Sequence, residues 1–311
     1  MTRLKHSTAG YLRAMQMSTD QLWVFVEGKI ADRYFYGRLL DEECKMSGVR
    51  YKLVLAQDLP DAQGGGGKKV LLSFFSFLRQ RRSLFTVLGN KKTTALFLLD
   101  KDVDDMKRVC KRSQHLVYTE YYCVENYLFR HGNIIDAAAA CLQLDRRTIE
   151  SVLGANDAWL QSAVNRWFDW TTLCLSAAML GVTSSCNYGA RSQVNTDING
   201  STDNRLVATK RAAIARGCTL ELNSVQDFFG AIENRTKRYY SSDRHDHIFN
   251  GKWYASILEK DLSAIAISSS TTSNGLSKRI ISNLLQSLNY NERWSDRFRS
   301  AIRLQLSKLA S

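Results

Sequence analysis

Two short apolar runs, each stopping abruptly at acid, limit what this chain can fold into. The first is Trp23-Val-Phe-Val-Glu27-Gly28; the second, beyond an intervening helical pattern, is Leu96-Phe-Leu-Leu-Asp100-Lys-Asp102. Branched and aromatic residues in runs this short read as strands buried on both faces, as in a parallel sheet. The helical pattern between them supplies the crossover that a parallel pair needs. Both acid ends then fall at the carboxyl edge of the sheet, where open α/β sheets hold ligands. Carboxylates with no His or Cys among them suit a hard divalent cation, Mg2+ or Mn2+.

The charge says what kind of partner to expect. The 311 residues carry a formal net charge of +13, and the basic residues recur in clusters. These are Arg79, Arg81 and Arg82; Lys91 and Lys92; Lys107, Arg108, Lys111 and Arg112; and Arg235, Lys237 and Arg238. Such a surface suits a polyanion, above all nucleic acid. Tyr239 and Tyr240 follow the last cluster directly, the arrangement of a base-stacking patch beside phosphate-binding charges. Seven scattered cysteines, never spaced C-x-x-C, argue against a disulfide framework or a zinc site and for a reducing, cytoplasmic setting. No stretch approaches the roughly 18 apolar residues of a membrane span, so no membrane partner is expected.

Periodicity predicts strands over 22–27, 51–55 and 94–99, with helices over 31–43 and 68–82. Pro60 and residues 61–67 form a glycine-rich loop. It is not a P-loop: Ala62 stands where the first glycine belongs, and Lys69 where Ser or Thr would bind Mg2+. A basic helix is expected from about Asp104, then an aromatic strand ending at Glu125-Asn126. From about Asn133 helical patterns dominate: 133–143, 146–153, 155–180, 221–240, 252–267 and 276–309, with polar loops over 183–204 and 268–274. The expected fold is α/β, a parallel-sheet domain over residues 1–130 followed by an all-α region over 131–311. The apolar faces on 155–180 and 276–309 exceed what one small domain needs, which suggests a partner or a second copy. His245 and His247, lacking other metal ligands nearby, read as a surface pair.

Strand-E-G, helix, strand-D-x-D is similar to the Toprim domain, the Mg2+-binding module of topoisomerases, primases and several nucleases. Three segments together resemble the DUF4435 branch of Toprim-like proteins. They are Val26-Glu-Gly28 with Asp32 and Tyr34-Phe-Tyr36, then Leu98-Leu-Asp-Lys-Asp102, then Tyr122-Cys-Val-Glu125-Asn126-Tyr-Leu-Phe129. In the helical half only the Gly251-Lys252 neighbourhood corresponds. Length, charge and motif order also resemble the Toprim effector subunits of PARIS anti-phage systems. The resemblance implies a tRNA-cleaving toxin nuclease, held inactive by an ABC-type ATPase until infection and forming a homodimer on release. It implies Glu27, Asp100 and Asp102 as catalytic metal ligands for Mg2+, with Asp104 or Glu125 completing the shell. Lys252 would stabilise charge developing on the cleaved phosphate. Two rival readings stand beside this one: a DNA-directed Toprim nuclease, and a non-catalytic nucleic-acid-binding subunit with a vestigial site. Phosphates alone do not separate RNA from DNA.

Overall fold

The computed structural model describes residues 7–28, 31–60, 67–218, 222–268 and 275–310. In chain order the elements are α1 (Thr8–Met17), β1 (Leu22–Val26), α2 (Ala31–Ser47), β2 (Tyr51–Leu55), α3 (Lys68–Gln80), β3 (Phe85–Leu88), β4 (Lys91–Leu99) and β5 (Leu116–Tyr118). Then come α4 (Val124–His131), α5 (Ile134–Leu142), α6 (Arg146–Leu153), α7 (Asn156–Arg166), α8 (Phe168–Leu180), α9 (Asn204–Gly217), α10 (Leu222–Ser241), α11 (Gly251–Asp261), α12 (Ser263–Ser268), α13 (Leu276–Ser287) and α14 (Asp296–Ala310). This is the expected α/β part followed by helices. Among the described residues, no helix is long and apolar enough to cross a membrane. The glycine run 64–66, with most of its loop, and residues 269–274 lie outside the described residues.

The chain divides into two compact units, and the division is not a single cut near residue 130. One unit, the sheet unit, comprises Met1–Asp100, Lys111–Thr119 and Asn289–Ser311; the other, the helical unit, comprises Lys101–Cys110 and Glu120–Leu288. The last helix, α14, therefore belongs with the sheet. The reason is packing: the Phe298 ring lies 5.8 Å from Phe35 and 5.5 Å from Tyr36 of α2. Gln305 also bonds Thr94 of β4 at 2.9 Å.

In the sheet unit the strand order is β2-β1-β4-β3, with β5 also on β4. β1 runs parallel to β2 and β4, and β5 parallel to β4, while β3 is antiparallel. β1 occupies one edge of β4, and the other edge is shared: β3 takes Lys91–Thr94 and β5 takes Phe97–Leu99. The β3–β4 hairpin was not expected, although Gly89-Asn90 between them is a turn signal; Gly89 sits at φ 58. β1 and the last seven residues of β4 are buried throughout, because both faces are covered. On one face the Phe25 ring lies 4.6 Å from Phe97 and 5.3 Å from Phe74 of α3. Alternate residues, such as Thr94, meet α14.

The helical unit is built around α8, in which every residue from Trp170 to Ala178 is buried. A helix apolar on all sides has to be central. α7, α9 and α10 pack on it, while α4, α7, α12 and α13 surround α11. The helix expected over 155–180 breaks at Trp167, whose buried indole donates to the Ile198 carbonyl at 2.7 Å. Helix α9 was not expected. Its N-cap Asp203 is a legible start signal, but only Val207 and Ile214 are buried, too thin a stripe to read as periodicity.

Two expected elements fail. No helix starts at Asp104: residues 102–108 are turns, and Asp102 and Arg108 adopt left-handed φ of 51 and 57. The aspartates compete for local backbone donors, as Asp105 does by accepting from the Met106 N–H at 2.8 Å. Glu125 does not end a strand. It lies in the first turn of α4, where a carboxylate complements the helix dipole.

Candidate carboxylate edge and cationic pocket

The register that pairs Val26 with Leu98 puts Glu27 and Asp100 just past the ends of two adjacent parallel strands. Connections leave β1 toward β2 on one side while β4 lies on the other, so this is the topological switch point of the sheet. Glu27 Oε1 accepts the Asp100 backbone N–H at 2.9 Å. The turn after β1 is fixed by Asp32, a buried residue in the first turn of α2, whose Oδ2 accepts the Gly28 N–H at 2.7 Å. Only glycine fits at position 28: a Cβ there would stand 2.8 Å from the Asp32 carboxyl carbon. The E-G pair is thus one glutamate, aimed by a turn that a buried aspartate holds.

The remaining acids fall in the helical unit. Asp102 is half-buried and donates its N–H to the Tyr122 carbonyl at 2.8 Å. Asp104 sits in the following turn, and Glu125 is 9% exposed. Among the described residues, no three His, Cys, Asp or Glu side chains form a group that could hold a metal ion. Lys101 is buried, and its ammonium donates to the Glu120 carbonyl and, at 2.9 Å, to His247 Nδ1. Burial, then the Lys101 charge, pushes the His247 imidazole down to about 3.

Asp102 and Lys252 line one pocket of about 350 Å³, together with Tyr188, Arg191, Asn250 and Trp253. Sequence reasoning named the first two and missed Arg191, which lies in a polar loop with no periodic signal. The pocket exists because two helix starts meet. Asn126, fully buried, accepts from the Cys123 and Gly251 N–H groups, each at 3.1 Å. It also donates to Asp246 Oδ1 and the Phe249 carbonyl, each at 3.0 Å. A Cβ on Gly251 would stand 2.4 Å from the Asn126 nitrogen, so glycine is required for the approach. Asn250 then caps α11 through the Lys252 N–H at 3.0 Å and donates to the Tyr188 carbonyl at 2.7 Å, fixing one wall against the other.

Several expected surface features are otherwise placed. His245 is buried at 1% exposed and Asp246 at 2%, so the histidines are not a surface pair. Burial keeps His245 below its usual range despite the Asp246 charge. Tyr240 is buried with its hydroxyl on Thr171 at 3.2 Å, and Tyr239 is half-buried beside Arg244, whose guanidinium lies 5.4 Å from the ring centroid. No two-tyrosine stacking platform results. Lys91 bonds the Gln16 carbonyl at the end of α1 at 2.6 Å, a structural use of a cation at a helix C-terminus. Arg79, Arg81, Arg82, Lys107, Arg108, Lys111, Arg112, Arg235, Lys237 and Arg238 are all exposed. The apolar faces on 155–180 and 276–309 are covered within their own units, which removes the surplus that had suggested a partner. Five of the seven cysteines are buried as small core residues.

No protein-family model matches the chain, and no curated protein matches it in sequence.

Proposed function

We propose that this protein is a Mg2+-dependent Toprim-type endoribonuclease, cutting structured RNA such as tRNA as a defence toxin restrained by a partner ATPase. The observation that carries the proposal is the pairing of Glu27 with Asp100 at the switch point of a parallel sheet. The motif order E-G, D-x-D, E-N-Y-L and G-K agrees with it. Carboxylate oxygens fit Mg2+, which takes only one or two protein carboxylates and fills its shell with water and phosphate oxygens. Glu27 and Asp100 would hold the ion. When bound, it polarises the scissile phosphate and lowers the pKa of a coordinated water.

The protein's own part is positioning. The buried Asp32 fixes the turn that aims Glu27, and Glu27 would serve either as a ligand of the ion or as the acceptor of a proton from an attacking water. Exposed cations at 79–82, 107–112 and 235–238 neutralise the strand, and homodimerisation would bring two such edges to one folded RNA. The rival reading, a binding subunit without catalysis, is favoured by one observation: no three-ligand metal group exists among the described residues.

Sequencing RNA ends after brief induction in cells separates the two. A discrete tRNA break with the parent and none with Glu27→Gln supports the nuclease. An unbroken RNA pool with the parent favours the binding subunit.

A further inference from the structure

The outer edge of β3 is open. Among the described strands β3 pairs with β4 alone, and just before it the Leu84 carbonyl accepts the Ala95 N–H of β4 at 2.9 Å. Hydrogen-bonded and unbonded residues alternate along an antiparallel ladder, so Thr86 and Leu88 also face β4. Phe85 and Val87 turn their N–H and C=O groups the other way, and those groups have no partner among the described residues. Bare edges are commonly guarded by a lysine, a proline or a bulge. β3, Phe85-Thr-Val-Leu88, has neither charge nor proline, and its register with β4 is unbroken. Val87 and Leu88 are instead 58% and 64% exposed, on opposite faces of the strand. An added strand would therefore find an apolar neighbour on each face.

The charge around the edge decides what fits it. Residues 79–92, from the end of α3 through the β3–β4 turn, carry Arg79, Arg81, Arg82, Lys91 and Lys92 and no acid. Pairing β3 with the β3 of a second copy would bring two such basic sets together. A strand with acids on either side of an apolar centre meets the same cations with opposite charge. We propose that β3 accepts an extended acidic segment of a partner protein as an added strand of the sheet. The backbone groups of Phe85 and Val87 supply the pairing, Val87 and Leu88 supply the apolar contact, and the flanking cations select the partner.

The inference does not depend on the nuclease reading, and its test involves no cleavage. The probe is a labelled, end-capped peptide, Glu-Glu-Val-Thr-Val-Glu-Glu, titrated with the full chain and followed by fluorescence anisotropy. Strand addition predicts a period of two. N-methylation of one alternate set of peptide residues should abolish binding, and methylation of the other set should leave it nearly intact. Val87→Pro, which removes an outward N–H and leaves the β4 ladder its bonds, should weaken binding about 10-fold. A peptide with lysine in place of each glutamate should not bind. Absence of binding by the acidic peptide, or equal binding by both methylated peptides, would overturn the added strand. If Arg82→Glu abolishes binding that methylation leaves unchanged, the edge is instead a patch for polyanions such as RNA. A concentration-dependent dimer that Val87→Pro dissolves would overturn the acidic partner in favour of a second copy.

Discussion

The Glu27–Asp100 edge of the sheet unit and the Asn126–Gly251 junction of the helical unit carry the same motif resemblance and do opposite physical work. At the edge, a carboxylate stands past the strand end and spends one oxygen on a backbone N–H. Little packing depends on it. At the junction, one amide makes four buried hydrogen bonds and one glycine permits contact closer than any side chain allows. A motif residue can therefore matter for chemistry or for architecture, and the burial of its polar atoms tells which.

The largest stability effect should come from the junction. Asn126→Ala takes the partner from two buried N–H groups and a carbonyl and removes one of the donors to Asp246, at about 1–3 kcal/mol for each unsatisfied group. Gly251→Val forces overlap with Asn126. Thermal unfolding should show either variant losing well over 10 °C, by the usual 2–4 °C per kcal/mol for domains of 150–250 residues. A loss of a degree or two would mean the junction is no keystone.

Next in size is a charged group that the comparison assigns to architecture. Arg299, 7% exposed, donates to Glu43 at 2.7 Å and to the Tyr290 carbonyl at 2.9 Å. Arg299→Met should cost about 3 kcal/mol, because breaking one partner leaves charge buried. Burial opposes ionisation of Glu43, yet hydrogen bonds from Arg303 and Arg299 outweigh it, so its carboxyl lies below the usual 4.5. A depressed carboxylate stabilises above pH 4.5, and that contribution disappears as pH falls through the depressed value. Urea unfolding should therefore show the gap between parent and variant at its widest above pH 4.5 and narrowing as pH falls through the depressed value.

A smaller, pH-shaped effect belongs to His247. Its folded pKa of about 3, against 6.5 in the unfolded chain, means protonation favours unfolding. Its stabilisation is complete above pH 6.5 and fades as pH falls toward 3. An NMR titration should show this imidazole neutral down to about pH 4; protonation near pH 6 would place it in solvent and undo the Lys101 contact.

Strands β1 and most of β4 were legible because a strand buried on both faces announces itself as an unbroken apolar run, whereas the half-buried β2 showed only as a short branched run. The pairing of Glu27 with Asp100 followed from that alone, since parallel neighbours end on the same side. Asp102 shows where such reasoning stops. A D-x-D on an extended strand would send both acids one way, but the chain leaves the strand at Asp100 and turns left-handed at Asp102. Asn126 read as the neighbour of a metal-ligating glutamate because sequence does not reveal which amides are buried. Arg191 gave no signal, lying in a polar loop whose Tyr188 carbonyl is held by Asn250, far away in sequence.

The most direct test compares purified parent and Glu27→Gln on folded tRNA with Mg2+, after circular dichroism and melting have matched their folds. The account predicts cleavage by the parent and a loss of at least 100-fold in the variant, within the range for removing a positioned acid–base group, with melting temperatures within a degree or two. Equal cleavage by both proteins would contradict the assignment of the sheet edge as the reacting centre.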